Sequence, residues 1–114
     1  MTSPDPAVES RRRAGEFLDL LGQDDPEADA LLAGLTDLRD LVHLGAALTS
    51  IARAEGRQLP TAQRAQASTR QVRLGQLRDA NRGNVEGLRT WLRRSGEEIL
   101  FIRELKAAAD RVAG

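Results

Sequence analysis

A chain of 114 residues has the length of one domain and can bury a modest single core. It has no cysteine, which excludes disulfides and thiolate metal sites, and its aromatic content is confined to Phe17, Trp91 and Phe101. Its net charge is zero, yet residues 1–50 carry ten acids against four arginines, whereas residues 51–114 carry thirteen bases against seven acids.

Leucine and alanine supply most of the apolar content, a composition that suits helices and starves a sheet. The expected fold is all-α: an antiparallel helical bundle or coiled coil of three to four helices, two of them long, in one domain over residues 1–114. Sixteen of the seventeen basic residues are Arg, a bias that reads as genomic composition before it reads as chemistry. The chain carries no apolar run of the roughly eighteen residues needed to cross a bilayer, and its start resembles no signal peptide, so a cytoplasmic protein is expected.

Residues 1–6, with Pro4 and Pro6, read as a disordered arm. Ala14, Phe17, Leu18 and Leu21 then predict a short amphipathic helix over Ala7 to Leu21. Gly22 ends it, and Asp25, Pro26 and Glu27 form a helix start. A second helix is predicted from Pro26 to about Glu55, with Leu31, Leu35, Leu38, Val42, Gly45 and Ala52 as a heptad seam. A neighbouring stripe of Leu41, Leu44, Leu48 and Ile51 widens its apolar face. Gly56, Pro60 and a capping Thr61 reverse the chain.

From Ala62 onward one long helix, or two nearly collinear ones, is expected. One seam position holds Ala67, Leu74, Asn81, Leu88, Ser95, Ile102 and Ala109, and the other holds Leu77, Asn84, Trp91, Leu105 and Val112. Ser95 and Glu98 have the spacing of a capping box, so a kinked continuous helix and a true break there both remain open. In this register Asn81 and Asn84 are seam amides that fix register and partner. Gly75, Gly83, Gly87 and Gly96 each weaken a helix by about 1 kcal/mol relative to Ala, so this segment needs a partner surface. Either the acidic second helix covers the arginine-rich third internally, or the seam accepts an amphipathic helix of another protein, anchored by Leu74, Leu77, Val85, Leu88, Trp91 and Leu92.

The stretches LRDANRGNVEGLRTWLRRSGEEILFIREL and GLTDLRDLVHLGAALTSIARAEGRQLP resemble the last two helices of FlgN-type flagellar export chaperones, over roughly residues 27–105. The resemblance implies a helical bundle that holds the C-terminal helix of hook-associated subunits and escorts them to the export apparatus. It places Asn81, Asn84, Leu88, Trp91 and Leu92 on the client-binding helix.

No catalytic site is expected. The single histidine, His43, lacks the following Lys of a phosphotransfer domain and reads as a helix-surface residue. Asp24, Asp25, Glu27 and Asp29 suit a helix N-terminus and lack the calcium-loop spacing. No metal ligands, cofactor, phosphate loop or nucleophile elbow is read. The remaining rival is nucleic-acid binding through Arg64, Arg70, Arg73, Arg78, Arg82, Arg89, Arg93 and Arg94, which spread over several helix faces without an aromatic platform. A basic membrane-surface helix fits less well. The expected function is a protein-binding chaperone or adaptor, with self-association through its long seams; the alternatives are an arginine-mediated nucleic-acid-binding protein and a purely structural homo-oligomer.

Overall fold

Asp5 opens the first helix: its carboxylate accepts a hydrogen bond from the Ala7 N–H at 3.0 Å, and Pro6 stands at the first helical position, so α1 runs Pro6–Gly22. The computed structural model describes residues 5–113. Of the arm expected over residues 1–6, residues 1–4 lie outside that range, whereas Asp5 and Pro6 are part of the helix cap rather than of a disordered arm. The turn after α1 places Asp24 in the left-handed region at φ 55°, which a short polar side chain tolerates. The Asp25 carboxylate then receives the Glu27 N–H at 2.9 Å, and α2 follows over Glu27–Ala33.

The expected helix from Pro26 to Glu55 is divided. The chain leaves the helix at Gly34 and enters α3, Leu38–Gly56, beneath Asp37, whose carboxylate accepts from the Arg39 N–H at 2.8 Å. This break resets the helical phase. The seam counted through Leu31, Leu35, Leu38 and Val42 is therefore not one face: Leu38 and Val42 are exposed, while Leu41, Leu44 and Leu48 of the adjoining stripe are buried. After Gly56, Leu59 turns into the core and extended Pro60 precedes α4, Thr61–Ala80. Thr61 is the first helical residue, not the cap, and the Pro60 cap position makes no side-chain hydrogen bond.

The Asn and Gly residues near the middle of the expected long helix make a turn. Asn81 ends α4, its side-chain amide donating to the Leu77 carbonyl at 2.8 Å, and Gly83 has φ 80°, a conformation that favours glycine. The Asn84 side chain accepts from the Gly87 N–H at 3.1 Å, which starts α5, Val85–Ala113. Asn81 and Asn84 are thus terminal caps and not buried seam amides. Asn84→Ala is expected to lower stability by about 1 kcal/mol through loss of the cap, read as a lower urea midpoint with unchanged m-value. A register-specifying seam amide predicts the opposite sign on apolar replacement.

The α5 helix continues unbroken through Ser95, which settles the alternative left open there. Ser95 and Glu98 are not a capping box: both are buried, and Glu98 faces Arg70 of α4.

All five helices contribute to one buried apolar cluster. Helix α5 lies at its centre, packed most extensively against α3, with α1 against α3 and α2 and α4 on its flanks. Two glycines permit close helix approach. A Cβ on Gly45 would coincide with the Trp91 indole, and one on Gly96 would lie 2.6 Å from Phe17 Cε2. The two largest side chains of the core therefore sit directly on opposing backbone, so these glycines serve packing.

Candidate partner-binding trough

The residues expected to bind a partner separate into three environments. Leu88, Trp91 and Leu92 are buried in the core. Leu74, Leu77 and Val85 are half-buried and pack against its edge. Asn81 and Asn84 form the α4–α5 turn. They do not constitute one exposed seam, although Leu74 and the edge of Trp91 also line the opening described below.

The arginines of the second half are largely engaged. Arg89 donates Nε to the Leu32 carbonyl at 3.1 Å and Nη2 to those of Ala33 at 3.1 Å and Leu35 at 3.0 Å. It thereby adds a side-chain donor to carbonyls at the C-terminal end of α2, where a cation also suits the helix dipole. Arg93 reaches Asp29 of the same helix, and Arg103 pairs with Glu55 of α3 through bonds of 2.8 and 3.0 Å. Arginines of α5 thus meet acidic α2 and the end of α3. Arg82 and Arg78 both bond Asp79 and hold its carboxyl below the usual range.

Arg70 has a different place. Its Nε lies 2.7 and 2.9 Å from the two carboxylate oxygens of Glu98, and its guanidinium carbon stands 4.0 Å from the centroid of Phe101. The Glu98 side chain is 6% exposed and that of Arg70 42%. Ala67 is the only fully buried residue that α4 contributes, so this ion pair is the main polar tie between α4 and α5.

Helix α4 packs on α5 but makes much less contact with α3. Three adjoining cavities of about 470, 400 and 120 Å³ open between α3 and α4 and share Arg53, Arg57, Gln71, Arg78 or Trp91 along their borders. Together they form one trough. Its floor is apolar, built from Leu48, Ala52, Ala67 and Ile102 with the edge of Trp91. One wall is the α3 stripe Val42, Ala46, Thr49, Arg53 and Arg57, and the other is the α4 stripe Arg64, Ser68, Gln71, Gly75 and Arg78. Both recur at intervals of three and four residues, the spacing of one helix face. Among the described residues no carboxylate lines any of the three cavities.

Two further observations distinguish this surface. Val42 and Val72, two of the large apolar residues left exposed, both line it. Gln71 Nε2 is enclosed without a hydrogen-bond partner among the described residues, at a cost of about 1–3 kcal/mol for an unpaired buried donor. The sequence reading missed the α3 wall, Gln71 and Val72. Their signal was the alternation of Arg64, Ser68, Gln71, Gly75 and Arg78, a face too polar for a search for leucine periodicity.

No protein-family model, curated protein or solved structure matches this chain. Among the described residues no helix is long and apolar enough to cross a membrane, and no group of three or more His, Asp or Glu gathers as metal ligands. His43 is exposed on α3, near Pro6 and Arg11 at the start of α1.

Proposed function

We propose that the chain is a small cytoplasmic protein-binding protein, a chaperone or adaptor that holds an amphipathic helix of a client against an antiparallel bundle, as the resemblance to FlgN-type export chaperones implies. The observation that carries this reading is the apolar-floored trough between α3 and α4. Its two walls are helices supported from below by α5, so an added helix would complete a four-helix arrangement with an apolar face turned inward. The contact surface of this proposal differs from the seam read in the sequence. Leu74 and Trp91 retain a place at its border, while Leu88 and Leu92 support it from the core.

Gly75 provides the test. A Cβ there would meet only Arg78 Nη2, at 4.0 Å, so Gly75→Leu has room to start its side chain into the trough over the apolar floor. The variant should gain roughly 1 kcal/mol from helix preference and lose the partner that the wild-type protein retains from lysate. Partner retention by a folded, more stable Gly75→Leu protein would reject the trough as the binding site. Self-association, the other use of such a surface, would appear in sedimentation as a dimer that the same substitution dissociates.

A second reading has its own observation. Arg53, Arg57 and Arg64 have no carboxylate partner among the described residues, and a phosphate backbone could use them. Nucleic-acid binding would weaken steeply with salt, whereas retention of a client over an apolar floor would survive it.

A further inference from the structure

We infer that the trough selects an acidic amphipathic helix of a protein partner, docked with its C-terminal end toward the α3–α4 turn. This inference rests on the proposed helix-binding function and adds the partner's charge and polarity.

The trough has a defined length. The fourteen residue steps from Arg64 to Arg78 at 1.5 Å per residue span about 21 Å, room for a helix of about 14 residues or four turns. Its floor and walls differ in chemistry. Ala52, Ala67 and Ile102 lie below, and guanidinium groups rise on both sides, so a helix with its apolar stripe inward places its flanking residues beside arginines. Glutamate or aspartate at those flanks would meet opposite charge on either wall. Lysine or arginine would be brought beside like charge, with no carboxylate among the described residues lining the cavities to relieve it.

The charge is also uneven along the trough. Arg53, Arg57 and Arg64 line the same cavity, beside the Gly56–Thr61 turn. None of the three contacts a carboxylate among the described residues: Arg57 and Arg64 donate Nε to the Arg53 and Leu59 carbonyls. At the far end Arg78 is already bonded to Asp79. The uncompensated positive charge is therefore concentrated at the turn. A helix carries partial negative charge at its C-terminus, and this end fits there. The bound helix would then run parallel to α3 and antiparallel to α4. The apolar floor and the burial of Trp91 favour a helix over a single-stranded nucleic acid, which binds by stacking on exposed aromatic rings.

Three probes test the inference: a helical peptide of about 14 residues with one leucine stripe flanked by glutamates, the same peptide flanked by lysines, and a single-stranded oligonucleotide. Binding would be measured by anisotropy on wild type, on Gly75→Leu and on the doubly substituted Arg53→Glu, Arg57→Glu protein, each first shown to be folded by circular dichroism. The glutamate peptide should bind wild type at least about tenfold more tightly than the lysine peptide. The charge-reversed protein should invert that order, and Gly75→Leu should bind neither. A spin label at the peptide's C-terminus should broaden amide signals around Arg57 and Arg64, and one at its N-terminus those around Val42 and Arg78.

Equal binding of both peptides, abolished by Gly75→Leu, would leave the helix-binding function standing and overturn the charge selection. Broadening from the N-terminal label at the turn would overturn the polarity. Binding of neither peptide would reject the helix-binding function and the inference together, and exclusive binding of the oligonucleotide would assign the arginines to phosphate.

Discussion

Gly45→Ala is expected to destabilise the protein by about 2 kcal/mol, although the same exchange in an exposed helix interior would stabilise it by roughly 1 kcal/mol. The reason is the position of Trp91. A Cβ on Gly45 would occupy space held by the indole ring, which is 3% exposed and seated between α3 and α5. The ring can yield only by leaving its seat on α3 toward the bordering trough or by pushing apart the two most extensively packed helices, and overpacking of this kind typically costs about 1–3 kcal/mol. For a chain of this size about 2 kcal/mol corresponds to a fall in Tm of roughly 8 °C. Trp91 is the only Trp and reports the change directly: its emission should be blue-shifted in the wild-type protein and move to the red in the variant. Combining Gly45→Ala with Trp91→Phe should cost less than the two changes added, since the smaller ring vacates part of the contested space. Strict additivity would mean that Gly45 and Trp91 do not contact each other.

Arg70→Ala is expected to have an effect of similar size by a different route. It leaves Glu98 buried without a counter-ion, a situation that costs about 3–5 kcal/mol in a fully enclosed pair. Because the Arg70 side chain is 42% exposed, water can partly reach the stranded carboxylate, and a loss of about 2 kcal/mol is expected. The result should be reversible by design: Arg70→Ala with Glu98→Leu removes both charges and should recover most of the loss. The location of the damage matters as much as its size. Ala67 is the one fully buried residue of α4, so removal of Arg70 should raise amide exchange along Thr61–Ala80 well before the exchange of α3 or α5. Uniform acceleration across all helices would instead mean that α4 is not a separately held element.

Where apolar spacing and cap chemistry agree, the fold is legible from the chain. Ala14, Phe17, Leu18 and Leu21 mark α1, Asp25 and Glu27 open α2, and Gly56 to Pro60 reverse the path. Two breaks were obscured by heptad counting. At Gly34 to Asp37 the apolar residues Leu31, Leu35, Leu38 and Val42 keep a regular interval in sequence, and the gap that Gly34 and Asp37 leave in the second apolar stripe was the physical clue. At Asn81 to Asn84 the amides fall on seam positions by arithmetic alone. Gly83 between them, with the amides free to cap both helix ends, carries the turn. The reverse error occurs at Ser95 and Glu98, where a capping pattern lies inside an uninterrupted helix because Glu98 takes Arg70 and not a backbone N–H as its partner.

The candidate site was less legible than the fold for a related reason. A helix that turns a polar stripe toward an unfilled trough shows weak apolar periodicity, and α4 has one fully buried position. The α3 and α4 walls become one surface only when the turn at Gly56 to Thr61 sets Arg57 beside Arg64 and brings Arg53 near Gln71. Spacing within either helix cannot reveal that juxtaposition.

The most direct test of the trough as the binding surface is photocross-linking in cells, with the reactive side chain placed at Val72 inside the trough or at Val112, which is 89% exposed and lines none of its cavities. One defined adduct from position 72, absent from position 112 and lost when Gly75→Leu is added, is the predicted result. Equal adducts from both positions, or an adduct at 72 that persists when Gly75→Leu narrows the trough, would contradict the account.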